Sequence, residues 1–272
     1  MIRAAAVVRQ PSRPAEVLAI PMRRLIFWST LPLLLPQALW VRRRTPRFAA
    51  PAGAEGGRVE PPGSPDASRA PGDATPIPPL RLVGLGDSII AGVGATVADE
   101  CLTARLAREV AVRRRVAVEW TNIGRIGATT TRVLHDLAKR LPPQPADLVL
   151  VSVGVNDVTS LRRRAGWSDE LRALADDLAA HSPRATALFL GLPPMQRFPS
   201  LPSPLRNSLG MRARMFDETL AATLAGHPTA RHLPLPFDAP PEMFSGDGFH
   251  PSATAYALIA RALADSLEPV RA

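Results

Sequence analysis

A single cysteine, Cys101, occurs in 272 residues. No internal disulfide can form, and cysteine usage gives no sign of the redox compartment. Cys101 opens "CLTARLAREV", a helical pattern, and reads as a small half-buried side chain rather than a catalytic thiol. Lysine is as scarce, present only at Lys139, so arginine carries the positive charge. Aromatics make up 5% of the chain and do not interleave with basic residues, which argues against a nucleic-acid partner. Neither H-x-x-x-H nor C-x-x-C spacing occurs, and no metal or other cofactor is expected. A G-K-[ST] triplet is also missing, which excludes a P-loop.

The net charge of +9 is unevenly spread. Residues 1–60 hold ten arginines against Glu16, Glu55 and Glu60, a balance of +7, leaving +2 for the rest. The basic excess is therefore N-terminal, and the remainder is nearly neutral. Long apolar runs are equally rare. The one present, "LIFWSTLPLLLPQALWV", covers residues 25–41 without a charge. Its seventeen residues are at the short end of a bilayer span, and Pro32 and Pro36 weaken its helix. Trp28 and Trp40 stand near its ends as interfacial anchors would. With no small-x-small cleavage site following, it is a candidate uncleaved membrane anchor, a surface-lying segment being the alternative. The arginine flanks are nearly balanced; the reading leans periplasmic. Residues 1–24 form a basic N-terminus expected to be disordered. Residues 42–79, dominated by Pro, Ala, Gly and Ser, are expected to be a disordered linker.

From Leu80 the texture changes. Apolar runs at 81–86, 116–123, 147–153, 185–191 and 232–235 predict strands, with amphipathic stretches between them. Leu171, Leu174, Ala175 and Leu178 repeat at helical spacing, as do Tyr256, Ile259, Ala260, Leu263 and Leu267. The strands are continuously apolar rather than alternating, as in a parallel sheet covered on both faces. This order predicts a doubly wound α/β domain over residues 80–268, with chemistry at the carboxyl ends of its strands.

Four such strand ends or loops carry candidate residues. "GLGDSIIAGVG" follows the first strand. Its glycines do not complete G-x-G-x-x-G from either start, because Ile89 or Val97 stands third, so a phosphate cradle is disfavoured. Nor is it the G-x-S-x-G elbow, since Ile90 holds the last position. It does set Ser88 just past a strand, among glycines that leave its approach clear. "NIGRIGATTT" follows the second strand with Gly124 and Gly127. "SVGVND" follows the third, where the Asn156 amide can donate to developing negative charge. "SGDGFHPSATAY" places Asp247 three residues before His250, with Pro251 at the start of the last helix. A carboxylate there can hold one imidazole nitrogen while the other faces the sheet. His135, His181, His227 and His232 lack such a neighbour in a comparable loop and read as surface or strand-end residues. Each block alone has an ordinary turn or cap explanation; their joint occurrence in order does not.

The blocks "GDS" at 86–88, Gly127, "GVND" at 154–157 and "DGFHP" at 247–251 resemble those of the SGNH (GDSL-type) hydrolases, especially small bacterial acyl esterases, thioesterases and lysophospholipases. The resemblance implies a three-layer α/β/α flavodoxin-like domain with five parallel strands. It implies Ser88 as nucleophile, His250 as base and Asp247 as its orienting acid. Ser88, Gly127 and Asn156 would supply the oxyanion hole, with Gly86, Asp87 and Gly154 in support. Where many relatives carry small residues before the second block, "GRIG" places Ile126, implying a reshaped acyl pocket. The implied activity is hydrolysis of acyl-lipid or lysophospholipid-like (thio)esters. The alternatives are an O-acetylesterase acting on a glycan or peptidoglycan, and a membrane-tethered, catalytically silent binding module. Residues 192–210, a Pro-rich connection, bring Met195 and Phe198 as candidates for the substrate groove.

Overall fold

The structure, a computed structural model, describes residues 34, 36–41, 43, 48–63, 77–235 and 240–267. The basic segment 1–24, most of the apolar run 25–41 and the centre of the expected linker lie outside the described residues.

Five strands run parallel: β2 (Leu80–Gly86), β3 (Val118–Gly124), β4 (Leu148–Ser152), β5 (Thr186–Leu190) and β6 (Ala230–Leu233). The sheet has six strands, however, one more than expected. β1 (Gly56–Val59) pairs antiparallel with β3, giving the order β1-β3-β2-β4-β5-β6. This strand comes from the stretch read as a disordered linker. An edge strand is held by backbone bonds, so it needs no apolar alternation to betray it. Asn122 strengthens the join: its N–H donates to the Glu55 carbonyl at 2.8 Å and its Nδ2 to the Ala54 carbonyl at 2.8 Å.

β6 is displaced from its expected span of 232–235. Its register is set by the pairs Ala187↔Ala230 through Leu190↔Leu233, and Pro234 has no N–H to extend the ladder.

Helices cover both faces. Trp167, Leu171, Leu174, Ala175 and Leu178 form the buried stripe of helix Arg164–His181, packed with Val83 and Leu85 on one face of the sheet. Tyr256, Ile259, Ala260 and Leu263 form that of helix Ala253–Leu267, packed with Leu82 and helix Leu102–Arg114 on the other. Alternate residues of β2 thus feed opposite cores, as a strand's period of two requires. The last helix starts at Ala253, two residues beyond Pro251, and the Ser252 hydroxyl caps it by accepting the Ala255 N–H at 3.3 Å.

Upstream, residues 36–41 are helical and rest on the domain. Leu34 is buried in the larger core, and Gln37 accepts the Leu205 N–H at 3.1 Å. No helix among the described residues is long and apolar enough to cross a membrane.

The parallel order 3-2-4-5-6 reverses direction at β2, whose carboxyl end is therefore the switch point where ligands enter such sheets.

Candidate active site

Backbone contacts set the tip of β2. The Asp87 N–H donates to the Ser152 carbonyl at 3.1 Å, and the Val93 N–H to the Ser88 carbonyl at 3.0 Å, closing a tight turn around Ser88. A Cβ on Gly86 would stand 2.1 Å from the Ser152 carbonyl oxygen, so no side chain fits between the ends of β2 and β4. Gly154, at φ 112°, makes the bend that starts helix Val155–Thr159 and carries Asn156.

The last loop is folded around Asp247. Its Oδ1 accepts three donors: the Ser245 hydroxyl at 2.8 Å, the Phe249 N–H at 2.8 Å and the His250 N–H at 2.9 Å. Oδ2 faces His250 Nδ1 at 2.6 Å. Burial works to raise the Asp247 pKa, but the donors of His250, Phe249 and Ser245 outweigh it and hold the carboxyl down at about 2. An ionised carboxylate only accepts, so the imidazole proton lies on Nδ1. Nε2 then presents its lone pair to the Ser88 Oγ, 2.9 Å away.

The structure therefore brings Ser88, His250 and Asp247 into one hydrogen-bonded line. The line opens into an open-mouthed cleft, which Gly127 and Asn156 also border. Most of its wall is apolar. Ile126, half exposed, stands at the rim, and Leu190, Leu192, Phe198, Phe249 and Ile259 lie along the sides. The two groove candidates separate. Phe198 lines the cleft, its ring edge-on to Phe244 and Phe249 at 5.1 and 4.9 Å. Met195 does not: a 3-10 turn over Met195–Arg197 directs it fully into the core. The connection is also shorter than expected, because helix Leu205–Leu224 absorbs its last six residues.

Asp87 is buried beneath the serine. Its Oδ1 accepts the Ile89 N–H at 3.1 Å and the Ser152 hydroxyl at 2.9 Å. Burial raises its pKa to about 6, against the pull of those two bonds and of His250. A carboxyl that binds its proton more tightly when folded makes the native state lose stability as pH rises from about 4 to 6. The shift corresponds to about 3 kcal/mol. Asp87→Asn removes this cost, so urea unfolding should show the variant gaining on the parent between pH 4 and pH 8. A stability difference that does not change with pH would contradict the assignment.

Cys101 is fully buried, and burial pushes its thiol up to about 11, with Glu100 and Asp99 adding to the effect. Two of the remaining histidines, which have no such neighbour in a comparable loop, meet a carboxylate through the fold: His232 with Asp217 at 2.8 Å and His227 with Asp176 at 3.3 Å. Neither borders the cleft. Ser152, Thr130 and Trp167 were missed by sequence reasoning, for they approach the candidate site only through the strand order.

A sheet of this order, with a serine at the switch point and a histidine–aspartate pair in the last loop, defines the SGNH class of α/β/α proteins. Residues 85–258 match the model of the GDSL-like lipase/acylhydrolase family, and the chain belongs to that family. It is 31% identical over 189 residues to the GDSL-like esterase Rv1075c of Mycobacterium tuberculosis, an alignment covering 66% of this chain and 59% of that protein. The lipase Lip_vut3 from a goat rumen metagenome shares the fold at a TM-score of 0.57 and 18% identity, over 69% of this chain and 97% of its own. A carbohydrate esterase family 2 enzyme of Corynascus thermopiles does so at 0.56 and 17%, over 71% and 67%.

Proposed function

We propose that the chain is a serine esterase that hydrolyses carboxylic ester or thioester bonds of acyl-lipid or lysophospholipid-like substrates. The observation that carries this reading is the line Asp247–His250–Ser88 ending in a largely apolar cleft. His250 Nε2 takes the Ser88 proton as Oγ attacks the acyl carbonyl. The Asp247 carboxylate stabilises the imidazolium that forms. The Ser88 and Gly127 N–H groups and the Asn156 amide hold the oxyanion. His250 then protonates the leaving oxygen or sulfur, leaving an acyl-enzyme on Ser88. Water, deprotonated by His250, releases the acid by the same steps.

Asn156→Ala is expected to lower kcat by about 10²–10³-fold. Turnover equal to the parent's would remove Asn156 from the oxyanion hole.

The apolar walls favour a fatty acyl group over acetyl. Rates on p-nitrophenyl esters from acetyl to palmitoyl test this: a preference for medium or long chains is expected. Activity confined to acetyl would favour the O-acetylesterase reading, and a folded protein inert toward every chain length would favour the binding module. Membrane attachment through the run 25–41 belongs to the same reading, supported by its lack of charge and its arginine flanks. Because Leu34 and residues 36–41 rest on the domain, the part left to engage a membrane is residues 25–33. The lean is to the periplasmic side. Full-length protein should sediment with membranes and be released when residues 25–33 are deleted; unchanged sedimentation would sink the anchor.

A further inference from the structure

The two outer oxyanion donors proposed above sit on different loops. Gly127 follows β3; Asn156 opens the short helix after β4. Covalent structure does not fix one against the other, so their spacing depends on cross-loop ties. Two are present. The Asn156 Nδ2 donates to the Ala128 carbonyl at 2.9 Å, which uses one of its two hydrogens. Next door, Asp157 Oδ2 accepts both the Thr130 N–H at 3.0 Å and the Thr130 hydroxyl at 2.9 Å.

The second tie is buried and has one direction. Asp157, Thr130 and Trp167 are each 0% exposed. Trp167 Nε1 donates to Thr130 Oγ1 at 2.8 Å, and an indole N–H cannot accept. The threonine hydroxyl must then send its single proton to Asp157. The indole is itself fixed against Phe216, with ring centroids 4.6 Å apart. The free oxygen, Oδ1, accepts no hydrogen bond and faces Arg162 Nη1 at 3.8 Å, a guanidinium also paired with Glu170.

We propose that Asp157 is a positioning residue: by binding both donors of Thr130 it locks the loop after β4 to the loop after β3, and so sets the Asn156 amide in register with the Gly127 N–H. It touches no reacting atom. A displacement of about 1 Å in such a donor can cost about 10²-fold in rate. The inference rests on the reading of Asn156 as an oxyanion donor, and the test separates the two.

The test measures kcat and KM on one p-nitrophenyl ester for Asn156→Ala, Asp157→Ala and the double variant. Asp157→Ala should lower kcat by about 10–100-fold with KM within about twofold. In the Asn156→Ala background the same change should alter kcat by less than about threefold, since the group it positions is already gone. A purely structural role would give equal factors in both backgrounds, which overturns the inference while leaving the oxyanion reading intact. So would an unchanged kcat for Asp157→Ala beside an impaired Asn156→Ala. If Asn156→Ala itself is fully active, both readings fall. Should Asp157→Ala not fold, Thr130→Val replaces it. That variant keeps the backbone N–H bond and the side-chain volume, and should show a smaller loss of kcat, about 3–10-fold, again absent beside Asn156→Ala. An equal loss in both backgrounds overturns the inference here too.

Discussion

Ser88→Ala should bring kcat down by about 10⁵–10⁶-fold and abolish labelling by a fluorophosphonate probe, with little change in stability. The Ser88 side chain makes one described hydrogen bond, to His250 Nε2, and His250 keeps its place through Asp247 without it. The turn around residue 88 is closed by the backbone, so alanine leaves its geometry alone. What remains is the His250 Nε2 lone pair facing the cleft, with the proposed oxyanion donors intact and no hydroxyl to attack. Labelling parent and variant side by side reads this directly. A variant that still labels at the cleft, or turns over at the parent's rate, would show that another group attacks the carbonyl.

The second large effect is expected from Asp247→Asn. Oδ1 meets two backbone N–H groups that cannot reverse, so the amide oxygen of an asparagine must take that place. The NH₂ then stands where Oδ2 was, against His250 Nδ1. A donor there forces Nδ1 to accept, moves the imidazole proton to Nε2, and leaves Ser88 facing an N–H instead of a lone pair. A wrong tautomer of this kind costs about 10⁴-fold in kcat. The same substitution carries a pH signature. A carboxyl held at about 2 when folded stabilises the protein above about pH 4, by about 2.5 kcal/mol, and loses that contribution as pH falls toward 2. The variant should therefore be less stable than the parent at pH 7 and approach it near pH 2. A kcat within tenfold of the parent, measured at neutral pH, would refute the tautomer argument.

The parts of this molecule visible in the sequence are those whose physics is local. β2 and β4 are written as continuous apolar runs because both faces of a central parallel strand are covered. Asp247 and His250 are legible because a three-residue loop lets one side chain bind the other. β6 was harder: a four-residue strand at the sheet edge is placed by its partner, and Pro234 alone marks its end. β1 was invisible, since "GGRV" joins the sheet with backbone groups and shows an almost fully exposed face. Phe198 and Met195 look alike in a Pro-rich loop, and only a single 3-10 turn sends one to the cleft and the other to the core. The chain from Trp167 through Thr130 to Asp157 joins residues up to 37 positions apart and has no local pattern to find.

β1 also decides where the protein can be cut. An excised piece beginning near residue 75, at the apparent start of the hydrolase domain, would lose Gly56–Val59 and the carbonyls of Ala54 and Glu55 that receive Asn122. β3 would then end the sheet with a bare row of hydrogen-bonding groups, open to a second molecule's strand and to self-association. The smallest unit that keeps this flank closed begins no later than Ala54, whose carbonyl receives Asn122, so the segment upstream of β2 serves as a guard rail for the sheet.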